Sequence, residues 1–136
     1  MQGYKKDKLA IQKDFVWYVT RVLKDNKKRG VYMKKEEIKI TSEFDELEID
    51  CLLMQPEGEI KGVVQLAHGM NEHKERYIDF MKYLAENGYA CFINDHRGHG
   101  KSLKNEEDIG YFYENEAEAV IEDLYQITRY LKEKFN

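Results

Sequence analysis

The sequence is poor in the residues that stiffen or staple a chain. It has one proline, Pro56, and two cysteines, Cys51 and Cys91, among 136 residues. Two lone cysteines in predicted strands read as buried reduced thiols, which excludes a disulfide framework and makes a cytoplasmic setting the default. No apolar run approaches the ~20 residues of a membrane span, and no apolar core precedes a small-residue cleavage site, so neither a transmembrane helix nor a secretory leader is read. Gly-x-Ser-x-Gly occurs nowhere, which excludes a serine nucleophile raised on a strained strand-to-helix turn. There is no internal repeat and no low-complexity tract.

Charge is plentiful but unevenly placed. Residues 1–32 carry nine Lys and Arg against three Asp, whereas residues 33–136 carry thirteen against twenty-three Asp and Glu. A basic leader of +6 therefore precedes an acidic body of −10, and the acidic body argues against nucleic acid as a partner. The hydrophobic content of 42% suits a globular domain rather than a disordered one.

The most informative stretch runs from Gly62 to Ser102. Val63, Val64, Leu66 and Ala67 form a short apolar run, the pattern of a strand buried on both faces. His68-Gly69-Met70 interrupts it with a turn. Tyr77, Phe80, Met81 and Leu84 then recur at helical spacing, with Asn87-Gly88 as the left-handed stop. Tyr89 to Ile93 is a second apolar run that leads into the polar loop Asn94 to Gly100. Strand, helix and strand with short joins form a βαβ unit with parallel strands.

His68-Gly69-Met70, Glu72-His73, Arg76-Tyr77 and Asp95-His96-Arg97-Gly98-His99-Gly100-Lys101-Ser102, in that order and spacing, resemble the monoacylglycerol lipase and lysophospholipase branch of the α/β-hydrolases, often grouped with the serine aminopeptidases. The resemblance covers about residues 34–136. It implies an incomplete α/β-hydrolase fold: an antiparallel hairpin plus parallel βαβα, ending before the nucleophile strand. The implied activity of the complete protein is cleavage of carboxylic esters of lipids, monoacylglycerols or lysophospholipids, through a Ser–His–Asp triad and an acyl-enzyme. No cofactor is implied.

The resemblance also assigns roles. The Met70 backbone N–H becomes the oxyanion donor, supported by His68 and Gly69. Arg76 becomes a candidate contact for a polar headgroup, with Glu72 and His73 holding the loop; His73 and Arg76 are thus the substrate-binding candidates. Physically, a helix start with Glu72 and Arg76 paired at i,i+4 is an equal reading of those residues. Asp95, Arg97, Gly98, His99, Gly100 and Ser102 are implied to form a structural loop beside the site. Gly100-Lys101-Ser102 ends like a phosphate-binding loop, but Asp95 occupies the position where that motif requires glycine. Asp95, His96 and His99 are too few and too loosely grouped for a metal site, and no metal is expected. Ser102 and Ser42 lack the glycine neighbours of a nucleophile. None of the triad is present, so this chain alone is expected to be inactive.

Elsewhere the pattern is simpler. Ile38 and Ile40 alternate within Glu36–Thr41, as do Leu47, Ile49 and Cys51 before Leu52-Leu53-Met54, and these two strands are read as an antiparallel hairpin. The intervening turn, Ser42 to Glu46, has no glycine. Tyr111-Phe112-Tyr113 is read as an aromatic cluster that packs on the body. Asn115 and Glu118 are read as an N-cap and its box partner, opening a helix to about Phe135 with Val120, Leu124, Ile127 and Leu131 on one face.

Residues 1–32 form a basic N-terminal extension, read as helical from about residue 10 to 24, before a domain at 33–136. Three readings stand: an interfacial helix in peripheral membrane contact through residues 10–29, with Trp17 at headgroup level; a helix packed on the domain; or a segment that precedes the true start at Met33. A different class of function, lipid-surface binding or an interaction subunit that completes its site with a second chain, remains alongside the hydrolase. If the nucleophile strand is missing, the strand at residues 62–67 has an open edge that favours self-association.

Overall fold

A computed structural model describes residues 33–113 and 115–136. The expectations for residues 1–32, including the membrane helix, lie outside them. Four strands form one mixed sheet in the order β1-β2-β4-β3: β1 Met33–Thr41, β2 Glu48–Pro56, β3 Gly62–Leu66 and β4 Tyr89–Asn94. The hairpin is as expected, with Ile40 opposite Ile49 and Ile38 opposite Cys51 in antiparallel register. β2 also pairs antiparallel with β4, while β3 runs parallel to β4 with Val64 beside Cys91. The parallel pair needs a crossover, supplied by the helix α1, Ile78–Glu86, which Gly88 ends at φ +91°.

Central placement explains the composition of β2 and β4. Nearly every residue of both is buried, because side chains alternate between two covered faces. On one face Ile49, Cys51, Leu53, Ala90 and Phe92 join Ile127 and Leu131 of the second helix, α2, Glu116–Lys134. On the other, α1 contributes Met81, Leu84 and Ala85, all buried, and packs on β2 and β4. Each large apolar side chain so covered contributes roughly 1.5–3 kcal/mol. Both thiols are free and buried; burial pushes the Cys91 thiol up to about 12, so it stays protonated and inert.

Three sequence expectations change. β3 is not buried on both faces: Val63 is 38% exposed and Ala67 is exposed, because β3 is an edge strand of this sheet. Its polar Gln65 is anchored to α2, donating to Leu124 O at 3.1 Å and accepting from Thr128 Oγ1 at 2.7 Å. Asn115 is not a side-chain N-cap. It sits in the left-handed region at φ 58° and makes no side-chain cap bond, a conformation Asn tolerates better than most residues. Finally, the buried stripe of α2 is Ala119, Asp123, Ile127 and Leu131, with Val120 and Leu124 only half-buried. Ile127 and Leu131 face inward as expected, and the first half of the stripe shifts by one position, where Asp123 turns inward to meet Arg97. The hairpin turn without glycine is closed by Glu46, itself at φ 60°.

Candidate active-site loops

Two loops meet at the C-terminal ends of the parallel strands β3 and β4, where open α/β sheets bind ligands. The first is His68-Gly69-Met70, between β3 and a short 3-10 turn at Lys74–Tyr77. The second runs from Asp95 to Ser102, directly after β4. The structure brings these two sets of sequence-predicted residues together. His96 N–H donates to His68 Nε2 at 2.9 Å, His96 Nε2 lies 3.1 Å from His68 O, and His99 Nε2 lies 2.5 Å from Met70 O.

Glu72 holds the first loop from below, as expected. Its carboxylate accepts from Gly69 N–H at 2.9 Å and from Tyr77 Oη at 2.6 Å. Those two bonds, Tyr77 first, hold the Glu72 carboxyl below its usual range. His73 does not share this task; its Nδ1 bonds Glu75 at 2.8 Å. Arg76 is exposed and lies 3.8 Å from Glu72, so the i,i+4 pair of the simpler reading is present. Met70 itself is 75% exposed.

The second loop is built around Asp95 and Arg97, both fully buried. Asp95 accepts from the backbone N–H groups of Lys74 at 2.7 Å and Lys101 at 2.9 Å, and from Lys74 Nζ at 2.6 Å. Ser102 Oγ donates to Asp95 O at 2.8 Å and accepts from Asp50 N–H at 2.9 Å, which ties the loop to β2. Two glycines make this compact shape possible. Gly98 has φ +73° and a Cβ there would sit 2.3 Å from Tyr111 O; Gly100 has φ +51° and a Cβ would sit 2.2 Å from the Asp95 carboxylate. Arg97 forks to three residues: Asp123 on α2 (2.8 Å), and Asp45 (2.9 Å) and Ser42 Oγ (3.2 Å) in the hairpin turn. Burial opposes its charge, but Asp45 and Asp123 more than offset that and raise its pKa.

Lys74, Asp50, Asp45 and Asp123 were not singled out from the sequence. Lys74 is 2% exposed, with Asp50 at 2.5 Å and Asp95 at 2.6 Å; burial works against its charge, yet the three carboxylates of Asp50, Asp95 and Glu75 raise its pKa. A buried lysine has no sequence signature, since Lys is almost always a surface residue. Asp123 did leave a trace: it is the polar member of the apolar i,i+4 stripe Ala119, Ile127, Leu131.

A cavity of ≈ 480 Å³, lined by Met70, His96, His99, Phe112, Val120 and Ile121 among others, opens beside the loops. The Phe112 ring lies 5.3 Å from the His99 ring, and Tyr113 is buried while Tyr111 is 52% exposed, so the aromatic cluster packs on the body only in part. Among the described residues, no group of three His, Cys, Asp or Glu is arranged to hold a metal, and no helix is long and apolar enough to cross a membrane.

Comparisons with known proteins bear on the fold and the family. A monoacylglycerol lipase of Mycolicibacterium smegmatis is 43% identical over 47 residues, covering 35% of this chain and 17% of that protein. A thermostable carboxyl esterase from Bacillus coagulans in complex with glycerol superposes with a TM-score of 0.68 at 24% identity, over 76% of this chain and 34% of the esterase. An open-form lipase superposes with a TM-score of 0.57 at 32% identity, over 68% of this chain and 31% of the lipase. The four-stranded sheet and its helices are thus part of an α/β-hydrolase fold, and the chain spans about a third or less of the length of these three relatives. The family model for serine aminopeptidase, S33, matches residues 58–136, more than half of the chain, and the chain belongs to that family.

Proposed function

We propose that this chain is the N-terminal portion of a serine hydrolase that cleaves carboxylic esters of lipids, monoacylglycerols or lysophospholipids, through an acyl-enzyme. Its own share of the machinery is half of an oxyanion hole, the Met70 N–H, with the two loops that carry it. The observation behind the reading is the position of Met70: an exposed residue on a glycine-bearing loop at the end of a parallel strand, beside a largely apolar cavity. Backbone donors at such a place stabilise a developing oxyanion only when they are held rigid before the reaction. The cavity is of the size that holds a small apolar ligand. The name of the curated relative, a monoacylglycerol lipase, supports a glycerol ester as substrate. In this reading His73 and Arg76 contact the polar headgroup, and Arg76 exchanges its long pairing with Glu72 for the ligand.

The chain alone is inactive, because it has no Gly-x-Ser-x-Gly and one oxyanion donor without a nucleophile does little. The test is incubation with a fluorophosphonate probe and a short-chain nitrophenyl ester, alone and after co-expression with a segment that carries Gly-x-Ser-x-Gly, an acid and a histidine. We expect no labelling alone, and labelling with turnover in the pair. Stoichiometric labelling of a serine in this chain by itself, with turnover lost when that serine is changed, would overturn the reading.

The open edge of β3 favours a second reading, an interaction subunit that completes its site with another chain. Val63 is exposed there, and Gly62–Leu66 contains neither proline nor charge to block pairing.

A further inference from the structure

A backbone N–H can act as an oxyanion donor only if its peptide plane is fixed, and a planar trans peptide fixes N–H opposite to C=O. For Met70 the relevant planes are those on either side of its Cα. The first contains Gly69 O and Met70 N. Gly69 O accepts from His68 Nδ1 at 2.8 Å and from Glu72 N–H at 3.1 Å. The second contains Met70 O, which lies 2.5 Å from His99 Nε2 and accepts from it when the ring proton sits on that nitrogen. With both carbonyls held, the two soft dihedrals of Met70 are held as well, and its N–H is fixed pointing away from the His68 ring.

The rings are themselves set by neighbours. His68 Nε2 accepts from the His96 backbone N–H, so in neutral His68 the proton sits on Nδ1, the tautomer that the bond to Gly69 O requires. His99 is buried, packs against Phe112, and has its Nδ1 3.1 Å from Arg97 O. Arg97 is anchored in turn by Asp45 and Asp123.

We propose that His99 is a positioning residue for the oxyanion donor: with His68, whose tautomer the His96 N–H selects, it clamps the two peptide units that flank Met70. The loop after β4 is then the jig that holds the loop after β3, rather than a separate structural feature. The meaning of Met70 as donor rests on the hydrolase reading; the clamp itself does not.

The test is therefore read without activity, by NMR of the full chain labelled with nitrogen-15. In the unaltered protein the His68 ring should show a protonated Nδ1 and an unprotonated Nε2. His99→Phe keeps the ring against Phe112 but removes the donor; it should shift or broaden the Met70 and Asn71 amide resonances while Cys91 to Ile93 in β4 stay in place. His99→Gln, whose amide can still donate to Met70 O, should restore them. The opposite His68 tautomer overturns the relay. Unchanged Met70 and Asn71 signals in His99→Phe, or no restoration by His99→Gln, overturn the clamp. Failure of the paired-segment esterase assay with these spectra intact would remove the hydrolase reading and leave the clamp standing.

Discussion

Arg97 Nε donates to Asp123 Oδ2 at 2.8 Å, and both side chains are buried. This bond joins the loop after β4 to the middle of α2, and Arg97 extends it to Asp45 in the β1–β2 turn. A charge pair of this kind is not by itself a large source of stability, because desolvation offsets much of the attraction. Removing one member is different, since the partner is left buried and uncompensated. Arg97→Ala should lower stability by about 3–5 kcal/mol, against a typical domain total of about 5–15 kcal/mol. Denaturant titration followed by circular dichroism checks this; a midpoint like that of the unaltered chain would mean that Asp45 and Asp123 find other partners.

Gly100→Ala should be damaging in a specific way. The new Cβ would lie 2.2 Å from the Asp95 carboxylate, on a backbone at φ +51°, so the carboxylate must leave its bonds to Lys74 and Lys101. A left-handed non-glycine residue adds ~1–2 kcal/mol by itself. Gly58→Ala is the control, because a Cβ there meets nothing within 4 Å, and exposed changes of that kind stay within about ±0.5 kcal/mol. Urea midpoints for the two variants should separate clearly, and equal midpoints would contradict the geometry.

Stability should fall in acid in two adjoining windows. Burial first, then the neighbouring His68 and His99, holds His96 down to about 4 from an ordinary 6.5. The unfolded chain therefore binds the extra proton first. The contribution is fully present above pH 6.5 and is lost as pH falls towards 4. At ~1.4 kcal/mol per pH unit it amounts to at most about 3.5 kcal/mol, less once solvent screening is counted. For Glu75, burial pushes upward but the bonds from His73 and Lys74 prevail and bring it to about 2; that contribution is present above 4.5 and lost as pH falls to about 2. Thermal melts from pH 7 to 3 should show the first decline, and His96→Asn should flatten it between 6.5 and 4 while leaving the lower window. A flat profile in the unaltered chain would contradict a half-buried imidazole held neutral.

The hairpin, the parallel pair and the two loops were legible because each rests on local pattern: alternation in Ile38 and Ile40, the apolar run before His68-Gly69-Met70, the glycines of the second loop. What was not legible depends on residues far apart. Arg97 stood out in its motif, but its partners lie 26 and 52 positions away. Lys74 gave no signal, because three carboxylates brought by β2, β4 and its own turn are what allow it inside. The α2 face departs from expectation only in its first half, at Ala119 and Asp123, for the same reason: an apolar periodicity cannot anticipate that Asp123 must face inward to meet a buried arginine. Asn115 followed local preference in another sense, taking the left-handed conformation instead of capping.

The last prediction concerns the edge at β3. Among the described residues the sheet ends on this strand, so one row of its N–H and C=O groups has no neighbouring strand there, and Val63 is 38% exposed beside it. A groove lined by Val63, Gln65, Thr128, Leu131 and Phe135 runs along the same side. An uncharged edge without proline is a template for another strand, and each apolar side chain left uncovered forgoes roughly 1.5–3 kcal/mol. At micromolar concentration the chain should therefore self-associate, as measured by light scattering. Val63→Lys places on that edge the residue natural proteins use to block pairing, and should shift the population towards monomer. Tyr125→Lys adds the same charge at an exposed position of α2 that does not line this groove, and should leave association unchanged. A monodisperse unaltered monomer with cooperative unfolding would show that the edge is not a pairing surface. Equal effects of the two lysines would assign any association to net charge instead.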